Sequence, residues 1–300
     1  MPRFAANVSL MYTDMPFLDR FEAAHEDGFK FVECLFPYEH DSSELKKRLA
    51  QNRLEQVLIN TPPAGCDGAM VSKMWNAGMR GVACLPGHEL EFKEGFELAL
   101  RYATALGCGQ IHAMAGCVPQ ALQAAPQKHQ GALTSSDISE HQGPLLDTYL
   151  DNLFKAANMA AQEGIDVLIE PINTRDIPNY FLNRQSQAHA IVETLGLSNL
   201  KVQMDLYHCQ IVEGDLIQKI KHYLPTGRVA HIQVAGVPSR QELHLGELNY
   251  VDIFQVLDEL ALSCQWQGYV GLEYRPQDGA QPGGTSRGLS WLKTSVNWQD

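Results

Sequence analysis

Short apolar runs alternate along the whole chain with longer stretches of helical periodicity. The runs cover 3–7, 29–35, 56–60, 110–113, 166–170, 201–205, 229–234 and 269–273. Each has strand length and is bounded by polar, glycine or proline residues. Between them the spacing predicts helices over 15–27, 43–52, 91–106, 145–163, 185–195, 214–223 and 251–262. In the fourth, Leu146, Leu150, Leu153 and Ala157 recur at helical spacing and form one apolar face. Gly107, Gly164 and Gly268 each follow a helical stretch and precede a strand, as helix-closing glycines do.

Eight strands alternating with helices predict parallel pairing. At 300 residues the expected architecture is an α/β fold, a closed (β/α)8 TIM barrel in a single domain over 1–300. The rival is an open, doubly wound sheet, whose usual mark is a glycine-rich turn after an early strand. Here the first strand runs into "SLMYTDMPFLD", which contains no glycine, so no nucleotide cofactor is expected. Two long loops, near 61–91 and 116–143, follow strands. In a barrel they belong to the C-terminal face, where such folds carry their active sites.

Composition narrows the function classes. With 45% apolar residues the chain can build a sizeable core. No window reaches the roughly 20 apolar residues of a membrane-spanning helix, so no membrane partner is expected. The segment "MPRFAANVSLMYTDMPF" lacks the apolar run of a signal peptide, and a cytoplasmic location is the expectation. The seven cysteines are scattered, odd in number and without a CxxC pair, which argues against a zinc ribbon or a disulfide framework. The net charge of −12 argues against nucleic acid as a partner, since phosphate binding needs a basic surface. A small anionic substrate needs only a local arginine or a cation, and homo-oligomerisation is left open.

The candidate chemistry lies at strand ends. "DVLIEP", "KVQMDLYH" and "YVGLEYRP" each finish an apolar run on an acid: Glu170, Asp205 and Glu273. Strand side chains alternate between faces, so these acids and Gln233 are the last inward residues of four consecutive strands. One acid at a strand end is often merely solvated. Three in phase with an amide would repel one another in a partly dry pocket unless a divalent cation joined them. Oxygen donors suit Mg2+ or Mn2+, so Glu170, Asp205, Gln233 and Glu273 read as a metal site.

Around it, His208 follows Asp205 by three residues, in a turn directed back over the pocket. His112 ends the inward set of the fourth strand and borders the substrate. Arg240, in the loop after the seventh strand, suits a substrate carboxylate, and Glu247 lies where it could orient Arg240 or His208. His231 sits one layer deeper and reads as structural, while Arg175 and Arg275 follow rim acids with which they can pair. Two glutamates facing each other across a metal suit proton transfer beside a carbonyl, the chemistry of aldose–ketose isomerisation or epimerisation.

These motifs are familiar together. "LIEPINTRDIPNYFL", "NLKVQMDLYHCQIVEGDL", "HIQVAGVPSR", "GELNY" and "GLEYRP", with "FAANVSLMYTDMPFLDRF" and "GFKFVECLFPY" near the start, resemble the hydroxypyruvate isomerase family, within the xylose isomerase-like TIM barrels. The likeness runs over nearly the whole chain. It implies interconversion of hydroxypyruvate and tartronate semialdehyde (2-hydroxy-3-oxopropanoate) through a metal-stabilised cis-enediolate, or isomerisation of the related 2-oxo-tetronates. It implies Glu170 and Glu273 as the acid/base pair. By similarity to the wider epimerases and isomerases, Glu170, Asp205, Gln233 and Glu273 match metal positions, and His208 and Arg240 match substrate-binding positions. A ketose 3-epimerase and a non-catalytic sugar-acid-binding barrel are the alternatives. Metal-dependent AP endonucleases share the barrel but need a basic groove and additional metal-binding histidines.

Overall fold

The structure is a computed structural model that describes residues 2–120 and 143–296, so most of the loop expected over 116–143 lies outside the described residues. Eight strands are present: β1 (Phe4–Asn7), β2 (Phe31–Cys34), β3 (Glu55–Asn60), β4 (Gln110–His112), β5 (Asp166–Ile169), β6 (Leu200–Asp205), β7 (Val229–Val234) and β8 (Tyr269–Leu272). They hydrogen-bond in sequence order and β8 returns to β1, which closes the barrel. The pairing is parallel, with Asn7 opposite Glu33, Ala5 opposite Gly271, and Gln233 opposite Gly271. Strands covered on both faces have no need of polar alternation, which is why they read as nearly continuous apolar runs.

The helices are α1 (Arg20–Glu26), α2 (Ser42–Gln51), α3 (Val71–Asn76), α4 (Glu89–Leu106), α5 (Pro144–Ala161), α6 (Gln185–Leu195), α7 (Leu206–Val212), α8 (Leu216–Tyr223), α9 (Tyr250–Cys264), α10 (Gly284–Gly288) and α11 (Ser290–Ser295). The stretch over 15–27 divides into a 3-10 turn, Phe17–Asp19, and α1. The stretch over 61–91, expected as loop, contains α3, and Asp67 caps the turn before it by accepting from the Ala69 N–H at 3.0 Å. Gly107 closes α4 in the left-handed region, where a residue with a Cβ would be strained.

By internal contacts the chain forms two compact units, Met1–Leu35 with His40–Leu58 and Met204–Asp300, and Phe36–Glu39 with Ile59–Gln203. The core of the first includes Phe4 edge-on to Phe254, with ring centroids 5.2 Å apart, and Tyr250, whose hydroxyl donates to the Ala235 carbonyl at 2.7 Å. Its C-terminal segment is tied down at Asp27, which accepts from Tyr12, Ser286 and Lys293 at 3.0, 2.7 and 2.9 Å. In the second unit, the buried Asn152 amide donates to the Ala83 carbonyl at 2.8 Å, and Tyr149 packs on Phe181. There Gly81, at φ 104°, lets its backbone lie against Met114, since a Cβ would sit 2.3 Å from the Met114 carbonyl oxygen.

Candidate active site

Glu170 directly follows β5, Asp205 ends β6, Gln233 is the penultimate residue of β7, and Glu273 directly follows β8; all four are buried. Pro171 has no N–H to extend the β5 ladder, which ends where Ala113 N–H donates to the Leu168 carbonyl at 2.8 Å. Asp205 is fixed by the start of α7. Its Oδ1 accepts from the N–H groups of Tyr207 at 2.7 Å and His208 at 3.2 Å, capping that helix. The helix therefore starts where the strand stops, and His208 lies on its first turn rather than in the open turn expected from sequence. That turn brings His208 Nε2 to 3.6 Å from Asp205 Oδ2.

Arg240 approaches the same acids from the loop after β7. Its Nη2 donates to Glu273 Oε2 and lies 3.7 Å from Asp205 Oδ2, its Nε is 3.4 Å from the Glu273 carbonyl oxygen, and its guanidinium lies over the Tyr207 ring at 4.9 Å. The residue holds a left-handed backbone, φ 55°, uncommon for a side chain with a Cβ. This guanidinium thus engages Asp205, Glu273 and Tyr207, whereas the sequence suggested a substrate carboxylate. On the other strand pair, His112 Nδ1 stands 3.4 Å from Glu170 Oε2, both side chains buried. Tyr180, whose hydroxyl accepts from the Ala115 N–H at 2.9 Å, has its phenol pushed well up by burial, with the nearby phenol of Tyr149 and the charge of Glu170 adding to it.

Burial also governs the acids. It pushes the Glu273 carboxyl up to about 8; Arg240 pulls it back, while the charges of Asp205 and Glu33 push it further up. Asp205 is raised by burial too, opposed by Arg240 and by the two capping N–H groups. Asp205, His208 and Glu273 each present one ligand atom, and these atoms lie within 4.8 Å of one another. The carboxylates of Asp205 and Glu273, buried together with their protons favoured by desolvation, are the arrangement a divalent cation relieves. The set fits such an ion: hard oxygen donors and one imidazole.

One buried acid was not singled out by sequence. Glu33, in β2, receives three donors: His231 Nε2 at 2.7 Å on Oε2, and Gln233 Nε2 at 2.8 Å and Asn7 Nδ2 at 3.0 Å on Oε1. Asn7 Nδ2 also reaches Glu273 Oε1 at 3.5 Å. A carboxylate in the middle of "FKFVECLF" was the available signal, because an acid inside a fully buried strand needs partners. His231, read as structural, has that role beside Glu33. Glu247 is exposed and accepts from Gln210 Nε2 at 3.1 Å. Arg175 and Arg275 are exposed as well.

Comparison with known proteins agrees with the barrel. A model of the xylose isomerase-like TIM barrel family matches residues 21–295, and the chain belongs to that family. It is 48% identical over 293 residues to a 2-oxo-tetronate isomerase of Cupriavidus necator, with 98% of each chain covered. It is 38% identical over 292 residues to the hydroxypyruvate isomerase of Escherichia coli, covering 97% of this chain and 98% of that one. Among solved structures, one described as an AP endonuclease of family 2 from Brucella melitensis superposes with a TM-score of 0.82 at 39% identity, with 100% of both chains covered.

Proposed function

We propose that the protein is an intramolecular oxidoreductase that isomerises small hydroxy-oxo acids, with hydroxypyruvate and tartronate semialdehyde as the first pair to consider. The observation that carries it is the buried grouping of Asp205, His208 and Glu273, with Glu170 directly after the preceding strand, β5. The names of the relatives support the substrate class. A second reading, a four-carbon 2-oxo-tetronate as substrate, is favoured by the 48% identity to the Cupriavidus necator enzyme. The endonuclease description belongs to the Brucella protein; the net charge of −12 weighs against a nucleic-acid substrate here.

In this proposal Glu170, Asp205, Gln233 and Glu273 hold Mg2+ or Mn2+, with His208 at its edge. When bound, the cation supplies positive charge that stabilises the enediolate. One of Glu170 and Glu273 takes the proton from C3 of hydroxypyruvate, leaving a C2–C3 enediolate. The other returns a proton to C2, and the hydroxyl proton passes from O3 to O2, so the product keeps every atom of the substrate. Without a cation, burial pushes the Glu273 carboxyl up to about 8, so the same group can take either a proton or a cation. His208 and Arg240 orient the substrate oxygens, and His112 holds Glu170 from the side.

The test is proton exchange. Hydroxypyruvate incubated in D2O with the Mn2+-supplemented protein yields tartronate semialdehyde carrying deuterium at C2, and Glu170→Gln and Glu273→Gln each lose about 10²–10⁴-fold in turnover. Turnover like that of the unaltered protein in both variants refutes the assignment. Rates on 2-oxo-tetronates and neutral ketohexoses, measured beside hydroxypyruvate, rank the three substrate classes.

A further inference from the structure

Asn7, at the end of β1, joins Glu33, His231 and Gln233 in a buried polar cluster that reaches Glu273 through Asn7. Three side chains bring N–H groups to one carboxylate, which offers acceptors only. This settles the orientation of two amides that could otherwise sit either way round. Asn7 turns its NH2 toward Glu33 and Glu273, and its Oδ1 accepts from the Ser9 N–H at 3.1 Å. Gln233 turns its NH2 to Glu33, and its carbonyl oxygen is thereby directed to the opposite side of the amide. Of an amide's two ends only the oxygen can serve a cation, so the direction of this one amide decides whether Gln233 attracts or repels the ion.

The fold makes room for this arrangement. Gly271 stands opposite Gln233 in the β7–β8 ladder, and a Cβ there would lie 2.2 Å from Glu33 Oε2 and 2.6 Å from Oε1. The Glu33 side chain occupies the volume that a residue with a Cβ at 271 would take. Glu33 is wholly interior, at 1% exposure, and so is His231, at 0%.

We propose that Glu33 is a positioning residue for the cation site: it holds the Gln233 amide oxygen toward the ion and, through Asn7, steadies Glu273. The proposal rests on the cation-dependent reading of the site, but not on any particular substrate. Its test is binding of Mn2+ alone, followed by calorimetry and by the electron paramagnetic resonance signal of the free ion, with no substrate present.

Glu33→Gln keeps the volume and removes the obligation, since an amide at 33 donates as readily as it accepts. Mn2+ affinity then falls by about 10–100-fold while the circular dichroism spectrum is unchanged. The exchange Glu33→Gln/Gln233→Glu reverses the pair at constant charge, so that a carboxylate oxygen faces the ion whichever way position 33 turns. Affinity returns to within a few-fold of the unaltered protein. A residue that merely fills space gives no such recovery.

Unchanged Mn2+ affinity in Glu33→Gln, or a double variant as weak as the single one, overturns the proposal. So does an unaltered chain that binds no Mn2+. If Glu33→Gln does not fold, Gln233→Ser carries the test: loss of 10-fold or more in Mn2+ affinity supports the proposal, and none overturns it. Because the readout is metal binding, a protein that shows these shifts yet turns over no hydroxy-oxo acid refutes the proposed reaction and leaves this inference standing.

Discussion

Glu33 and Glu273 are both glutamates, both buried and both within hydrogen-bonding reach of Asn7, yet their surroundings oppose each other. Glu33 receives donors from Asn7, His231 and Gln233. Glu273 receives Arg240 but also faces the repelling charges of Asp205 and Glu33, and burial pushes its carboxyl up to about 8. The difference is one of company. A carboxylate that accepts from three side chains is held still even beside other acids, and its loss costs structure. A carboxylate crowded by other acids is held under electrostatic tension, and its charge is available to a cation or a proton.

Substitutions at the two positions therefore separate activity from stability. Glu273→Gln lowers turnover about 10²–10⁴-fold and leaves the chemical-denaturation midpoint unchanged or higher, because a repelled charge is removed. Glu33→Ala strands the donors of three buried side chains and costs about 3–5 kcal/mol of unfolding free energy. If Glu273→Gln is the less stable of the two, the two glutamates do not differ in this way.

A smaller effect comes from the ion. Mn2+ at about 100 times its Kd stabilises the protein by about 2.7 kcal/mol. Asp205→Asn reduces that gain, measured as the shift in melting temperature with and without Mn2+. Equal shifts in the variant and the unaltered chain would place the ion elsewhere.

The smallest effect is a pH slope in chelator-treated protein. An acid whose folded pKa is raised holds its proton longer in the folded than in the unfolded state, so stability falls as pH rises. For Glu273 the fall spans the window from its ordinary value of 4.5 to about 8, and this contribution is flat above it. Glu273→Gln removes that part of the slope, as denaturation at several pH values would reveal, and saturating Mn2+ flattens it.

Most of the barrel was legible because parallel, doubly covered strands leave unbroken apolar runs: β7 matches its expected span, and β5 and β8 stop one residue short of theirs. They stop short because Glu170 and Glu273 lie just past the ladder, where their side chains are released for other work. Helix α6 also matches its expected span, aided by Gly196 in the left-handed region at its end. Helix α7 was not visible, since its cap, Asp205, is also the last strand residue and no turn residues separate the two elements. Of the site, the acids at strand ends announce themselves by position. Glu33 does not, because its meaning lies in partners on β1 and β7, far away in sequence. Arg240 was visible as a cation in the right loop, but its left-handed backbone and its contact with Glu273 are products of tertiary structure.

The missing side chain at Gly271 also constrains how this chain can change by descent. Positions 33 and 271 share one volume, so neither can be altered without reference to the other. A library randomised at both sites should yield paired survivors, with growth at 271 tolerated only alongside shrinkage at 33. Every such exchange would give up the carboxylate that receives Gln233. The route to a bulkier barrel interior at this point thus passes through sequences with a weakened ion site, and a glycine that contributes no atom beyond its backbone becomes a barrier to mutational drift.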